Sequence, residues 1–306
     1  MRENLEAMVW ASFAGDSLAL GVHWIYDTGV IDQKFGRVES FVKPAEPTYH
    51  PTKDRGEFTH YGDQTIVLLE SVAHCQGFDL GHFAGSWQAL FNGYKGYFDG
   101  ATKATLQNFA AGKGPGEAGS SSTDLSGAAR IAPLAYAYAN DLDHLIAAAR
   151  AQTALTHNHS QVIDSAEFFA RVVYQILHGA APTGALQEVA ADHFARSPYS
   201  RWLEQGLQSV DIDTRQAIRQ LGQMCEVEAA FPAVVHLIVK YETDLARALV
   251  ENVMAGGDSA GRGLLVGMVL GAYSGRTAIP VRWISELKAR GRIAECLARI
   301  PQEPRK

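Results

Sequence analysis

Apolar residues recur at helical spacing from one end of the chain to the other, and strand-like alternation is nearly absent. Leu5, Met8, Val9 and Phe13 open the pattern, and Ile66, Leu69 and Val72 mark one face of the segment after Gly62. Further helices are predicted over residues 82–98, 101–111, 126–138, 141–155, 164–178 and 186–194, then over 199–210, 214–221, 232–241, 244–254, 258–273 and 281–290. Gly100, Gly112 and Gly179 read as stops, because glycine takes the left-handed conformation that ends a helix. Short polar turns join these elements, no low-complexity linker divides them, and there is no fixed-period repeat or sustained heptad. The expected fold is all-α, a single compact multi-helix bundle spanning residues 1–306.

With 47% apolar and 20% charged residues, 306 residues suffice for a buried core, and disorder is excluded as the main state. The net charge of −6 arises from 33 acidic and 27 basic residues with no basic block, which argues against a nucleic-acid or membrane-surface partner. Cys75, Cys225 and Cys296 are odd in number and far apart, so a disulfide scaffold or zinc ribbon is excluded and a reducing, cytoplasmic location is expected. The charged residues 1–6 lead straight into an amphipathic pattern, so no signal peptide is expected. The most apolar run, residues 264–273, is interrupted by Gly267 and Gly271 and is about half the ~20 residues of a membrane span. It reads as a buried helix.

The chemistry is concentrated in polar loops at helix starts. In residues 56–65, Glu57, His60, Asp63 and Gln64 crowd a helix N-terminus, where free N–H groups favour an anion; a helix cap at Asp63 and a surface His60 are the structural alternative. Residues 256–263 place Gly256 and Gly257 before Asp258, a turn able to approach phosphate or a metal, or simply a capped turn before a packed helix. Residues 114–130 are rich in small residues ahead of Arg130 and suit a pyrophosphate cradle or a surface loop. His157 and His159 suit a metal, a helix cap or a substrate contact. Asp16 and His23 flank the end of the opening helix, and a buried Asp16 requires hydrogen-bond partners.

The order of these motifs resembles the ADP-ribosylglycohydrolase family, which includes the J-type crystallins, over nearly the whole chain. The matching residues are Gly15-Asp16-Ser17-Leu18, then Gly62-Asp63-Gln64-Thr65, Gly127-Ala128-Ala129-Arg130, Thr156-His157, and Gly256-Gly257-Asp258-Ser259, with Ile279-Pro280 and Trp283 trailing. The resemblance implies an all-helical hydrolase that cleaves an N- or O-glycosidic bond to ADP-ribose with two magnesium or manganese ions held by carboxylates. This chain departs from that pattern: Gly62, Gln64, Ala260, Gly261 and His23 stand where the family carries threonine, aspartate, aspartate, threonine and glutamate.

Two remaining carboxylates cannot neutralise two divalent cations, so the expectation is at most one divalent metal, magnesium or manganese, at Asp63, Thr65 and Asp258, or a mixed nitrogen and oxygen site including His23. Asp63, Asp258 and His23 are the expected catalytic groups. The resemblance places Asp16, Glu57, His60, Gln64, Ser126, Gly127, Arg130, His157, Gly256, Gly257, Ser259 and Arg262 around the substrate. That substrate is expected to be an ADP-ribosyl or nucleotide-like small molecule, free or on an ADP-ribosylated protein. A catalytically inactive binder of ADP-ribose or of a protein partner is the alternative.

Overall fold

The computed structural model describes residues 2–301. Among these residues the backbone is helical, with no strand and two isolated bridges. The first elements are α1 (Arg2–Ala19), α2 (Thr28–Phe35), α3 (His60–Cys75), α4 (Leu80–Leu90), α5 (Gly100–Ala110), α6 (Ser126–Ala129), α7 (Ala132–Ala137) and α8 (Leu142–Thr156). They are followed by α9 (Ser160–Leu177), α10 (Pro182–His193), α11 (Pro198–Gln208), α12 (Thr214–Leu221) and α13 (Val227–Lys240). The last are α14 (Leu245–Met254), α15 (Ser259–Ser274), α16 (Val281–Glu286) and α17 (Arg290–Arg299).

Local chemistry explains most boundaries. Asp27, Asp79, Asp99, Asp141, Asp213 and Asp244 each accept a backbone N–H in the first turn of the helix that follows, satisfying a donor with no intrahelical partner. Asp99 corrects the reading of Gly100 as a stop: Gly100 is the first residue of α5, under the Asp99 cap. Gly112 and Gly179 do have positive φ after their helices. The helix expected over 126–138 is broken at residues 130–131, and Pro133 sits at the start of α7, where its missing N–H costs nothing. Pro232, read as a helix start, lies inside α13. Helices α2 and α17 fall outside the predicted segments.

The core is organised on the crossing of α1 and α15. A side chain placed on Gly15, Gly267 or Gly271 would meet the backbone carbonyl of Gly263, Ala11 or Ala7, at 2.2, 2.2 and 2.7 Å. The register moves up one helix as it moves down the other, so the two run antiparallel with their backbones in close approach. Helix α15 is buried on nearly every side, as expected for a helix that is apolar all round. A second aromatic cluster, Phe168, Phe194, Tyr199, Trp202 and Phe231, packs α9, α11 and α13 together. Among the described residues no helix is long and apolar enough to cross a membrane.

His236 on α13 ties α11 and α12 to this layer: Nδ1 lies 2.8 Å from Ser209 Oγ and Nε2 3.1 Å from Thr214 Oγ1. Burial, helped by the Lys240 charge, lowers its pKa to about 4. The folded chain therefore resists a proton that the unfolded chain accepts below about 6.5, and stability falls as pH drops from there toward 4. The expected loss from this residue between pH 7 and pH 5 is roughly 2 kcal/mol. Urea midpoints at the two pH values check it, and His236→Gln should flatten the dependence by that amount; an unchanged dependence would refute a neutral His236.

Candidate active site

The site is assembled by a turn that the two glycines make possible. Gly256 and Gly257 have φ of +71° and +67°, and a Cβ on them would stand 2.5 Å from the Ile25 carbonyl and 2.2 Å from the Gln223 carbonyl. Glycine is needed on both grounds. The turn is laced to the segment after α1: Trp24 N donates to Gly257 O (3.0 Å) and Gly257 N to Ile25 O (2.8 Å). This lacing brings Asp258 to His23, with Oδ1 3.6 Å from Nε2. Asp258 occupies the N-cap position of α15 yet caps nothing; it is fully buried, and neither oxygen has a hydrogen-bond partner among the described residues. Burial, then the Asp124 charge, push its pKa well above the usual carboxylate range against the pull of Arg262.

Arg262 does not reach outward. Its Nη2 donates to Gly256 O (2.5 Å) and its Nε to Asn252 Oδ1 (2.9 Å), while Asn252 donates to Ser259 O (2.8 Å), so the guanidinium holds the glycine turn in shape.

Asp16 plays a matching part at the start of α3. It accepts from Thr59 N (2.9 Å), Thr59 Oγ1 (2.6 Å) and Gly62 N (3.2 Å), which supplies the partners a buried carboxylate requires. Burial still pushes its pKa up to about 6. Thr59, rather than Asp63, caps the helix, and His60 is buried rather than on the surface. Asp63 is drawn away by Lys53 (2.5 Å) and the Tyr94 hydroxyl. Thr65 donates to the Tyr61 carbonyl (2.8 Å), and Glu57 accepts from Asp54 N (2.6 Å) in the preceding turn. The structure therefore does not gather Asp63, Thr65 and Asp258 around one ion: the first two are committed elsewhere.

Gln64 and Arg130 form a buried polar strut. Gln64 Oε1 accepts from Arg130 Nη1 (2.5 Å) and Trp87 Nε1 (2.8 Å), and Arg130 Nη2 donates to Thr156 Oγ1. Thr156 Oγ1 also contacts His157 Nδ1 at 2.9 Å, and the His157 ring packs where a Cβ on Gly127 would go. The Ser126 N–H is taken by Asp124 (2.8 Å), so a protein carboxylate already occupies the start of α6 that was expected to cradle a pyrophosphate.

The open space lies beside these elements. A cavity of about 410 Å³ is lined by Trp24, Tyr97, Asp99, the run from Ser120 to Thr123, Asp124 and Cys225. Trp24, held at φ +64°, meets Tyr49 and Tyr97 edge-on at 5.0 and 5.1 Å between ring centroids, giving the cavity an aromatic rim. Asp99 Oδ2 lies 3.2 Å from His60 Nε2; burial raises the Asp99 carboxyl, but the His60 contact outweighs it and holds it below the usual range. Asp124 accepts from Tyr61 OH (3.0 Å), and its pKa is raised by burial. Behind Trp24, His23 and His60 meet a third buried imidazole, His50, with centroids 5.4 to 6.1 Å apart. One nitrogen from each of the three lies within 4.8 Å of the others, a group able to hold a metal ion.

A family model described as ADP-ribosylglycohydrolase matches residues 1–306. The chain belongs to the ADP-ribosylglycohydrolase family. Crystallin J1A of Tripedalia cystophora is 24% identical over 307 residues, covering 93% of this chain and 92% of that protein. An uncharacterized protein of Archaeoglobus fulgidus is 25% identical, covering 98% and 96%. A solved structure described as an ADP-ribosylglycohydrolase-related protein complex superposes with a TM-score of 0.76 at 24% identity, covering 98% of this chain and 97% of the other.

A pair of hard cations bound by carboxylates does not fit this member of the family. Gln64, Ala260 and His23 offer no carboxylate where the family has one, Asp63 is neutralised by Lys53, and Asp258 is the one carboxylate of those family positions left beside three imidazoles, one nitrogen of each lying within 4.8 Å of the others. His50, Asp99, Asp124, Trp24 and Tyr97 escaped the sequence reading. Asp99 was hidden by its glycine neighbour, Asp124 lay unmarked in a small-residue loop, and His50 and Trp24 lie in irregular segments with no periodicity to read.

Proposed function

We propose that the protein hydrolyses a glycosidic bond of an ADP-ribosyl or related ribosyl compound, free or attached to a protein, in the cavity between Trp24 and Asp124. The observation that carries this reading is the pair of carboxylates, Asp99 and Asp124, facing one cavity under an aromatic rim. Glycoside hydrolysis needs two carboxyl groups in different roles. Asp124, whose carboxyl is raised by burial, donates its proton to the departing nitrogen or oxygen as the glycosidic bond breaks. Asp99, held by His60, takes a proton from the water that bonds to the ribosyl carbon and gives it up to solvent, and solvent returns a proton to Asp124. His23 and Asp258 lie outside the lining of this cavity. Three unpaired thiols suit the reducing cytoplasm.

The test is release of ADP-ribose from ADP-ribosyl-arginine and ADP-ribosyl-serine, followed by chromatography, with magnesium, manganese, zinc or iron supplied in turn. No release under any of these conditions would sink the hydrolytic reading. A second reading, binding without turnover, is favoured by the missing carboxylates at Gln64, Ala260 and His23; thermal stabilisation by ADP-ribose with no product would support it.

Trp24 is assigned to the base. Stacking on an aromatic side chain contributes about 1–3 kcal/mol by alanine substitution, so Trp24→Ala is expected to weaken ADP-ribose binding roughly tenfold to a hundredfold. Calorimetric titration checks it, and unchanged affinity would move the base elsewhere.

A further inference from the structure

The geometry points to a single transition-metal site, of the zinc, cobalt or nickel class, formed by His23, His50 and His60. This goes beyond the hydrolytic reading in naming a cofactor class, and it rests on that reading only for its use, not for its existence.

The three ligands come from separate stretches of chain: His23 from the turn after α1, His50 from the irregular segment before α3, and His60 from the first residue of α3. They are 3%, 0% and 1% exposed, so the fold has removed three imidazoles from water and placed them face to face. Both ring nitrogens of His23 and His50, and Nδ1 of His60, have no hydrogen-bond partner among the described residues. Each unsatisfied buried polar atom costs roughly 1–3 kcal/mol, and unpartnered imidazoles that bring one nitrogen each within 4.8 Å of the others indicate a partner of a different kind.

The distances suit an ion. Nitrogens within 4.8 Å of one another leave a point no more than about 2.8 Å from all three, and modest ring rotations bring this to the ~2.0–2.1 Å of a zinc–nitrogen bond. The surroundings suit it as well. Metal-bound histidines commonly place a carboxylate on the second ring nitrogen, which fixes the tautomer, and here Asp99 lies 3.2 Å from His60 Nε2 and Asp258 3.6 Å from His23 Nε2. Those carboxylates also offset the charge of a divalent ion. Neutral imidazole donors select borderline transition metals, whereas magnesium requires oxygen ligands that this cluster does not offer. Trp24, stacked on His23 at 4.4 Å, closes one side of the cluster.

The experiment uses the full-length protein stripped with a chelator and titrated with cobalt(II), then zinc, by calorimetry and visible absorption. The expected result is one metal per chain, a ligand-field band from cobalt(II), and a rise in Tm of about 4 °C at a hundredfold excess of zinc over its Kd. Millimolar magnesium should do none of this. His50→Gln should lower affinity at least a hundredfold, while His236→Gln, a buried histidine outside the cluster, should bind like the parent. Because a cluster variant can misfold, each is accompanied by a circular-dichroism melt, and His23→Gln provides a second cluster variant. Binding well below one equivalent by folded parent protein, equal cobalt binding by folded His50→Gln and His23→Gln, or competition by magnesium would overturn the assignment. The readout is independent of substrate: a bound metal with no hydrolysis would retire the hydrolytic reading and keep the site, and hydrolysis by folded protein that binds well below one equivalent of metal would do the reverse.

Discussion

Asp124→Asn is expected to reduce hydrolysis of the ribosyl substrate by about a thousandfold while leaving the fold in place, the range that loss of one general acid typically produces. Asparagine keeps the shape of the side chain, and its carbonyl can still accept the Ser126 N–H that Asp124 accepts at 2.8 Å. What it lacks is a proton to give to the leaving group. The distinguishing measurement is a pair of substrates, one with a poor leaving group and one with a good one such as a nitrophenyl ribosyl compound. A departing group that needs no proton should recover most of the lost rate, because the acid matters only where protonation accompanies bond breaking. Equal losses on both substrates would mean that Asp124 acts through binding or structure, and the acid would have to be sought elsewhere. Tyr61, which donates to Asp124 at 3.0 Å, is the first group to examine in that event.

Gly267→Leu is expected to cost at least about 4 kcal/mol, a large share of the 5–15 kcal/mol that holds a typical domain together. A Cβ at Gly267 would stand 2.2 Å from the Ala11 carbonyl oxygen and 2.9 Å from the Ser12 nitrogen. Both are backbone atoms of a helix, so nothing can rotate aside and the two helices must separate. The damage would reach the active site, because α1 carries Asp16 and leads to His23, and α15 begins at Asp258. Urea denaturation is the measurement, with Gly184→Ala as the control. Gly184 is exposed on α10 with nothing within 4 Å of its Cβ position, and alanine there should stabilise by roughly 0.5–1 kcal/mol. A parent-like midpoint for Gly267→Leu would show that the α1–α15 contact is looser than its geometry requires.

The helices were legible because their signals are local. Burial on one face imposes the 3.6-residue period, and that period is present in the letters whether or not the partner helix is known. The glycine-rich turn at Gly256 and Gly257 was legible for the same reason: positive φ selects glycine at the position itself. Helix α2 was missed although α12, equally short and also capped by an aspartate, was legible: α12 buries the stripe Thr214, Ala217 and Ile218, whereas α2 buries only Thr28 and Ile31.

Long-range polar choices were not legible. Asp63 carries the family's motif position, but the pull of Lys53 and Tyr94 on its carboxylate depends on where residues 53 and 94 come to rest. Arg262, two residues beyond Ala260, is spent on the Gly256 carbonyl and Asn252 rather than on a ligand. His50 illustrates the point most directly, since no local pattern distinguishes it from the other histidines of the chain.

By itself the sequence determined the helical class, the small residues that let α1 and α15 touch, and the turn that starts α15 at Asp258, because each depends on propensity, period or φ within a few residues. The tertiary structure alone decided which charges are neutralised and which polar atoms are left unpaired. Those outcomes follow from distances of a few ångströms between groups tens or hundreds of residues apart, and the fold sets them only when it closes. That closure engages Asp63, leaves Asp258 with no hydrogen-bond partner among the described residues, and brings His23, His50 and His60 together.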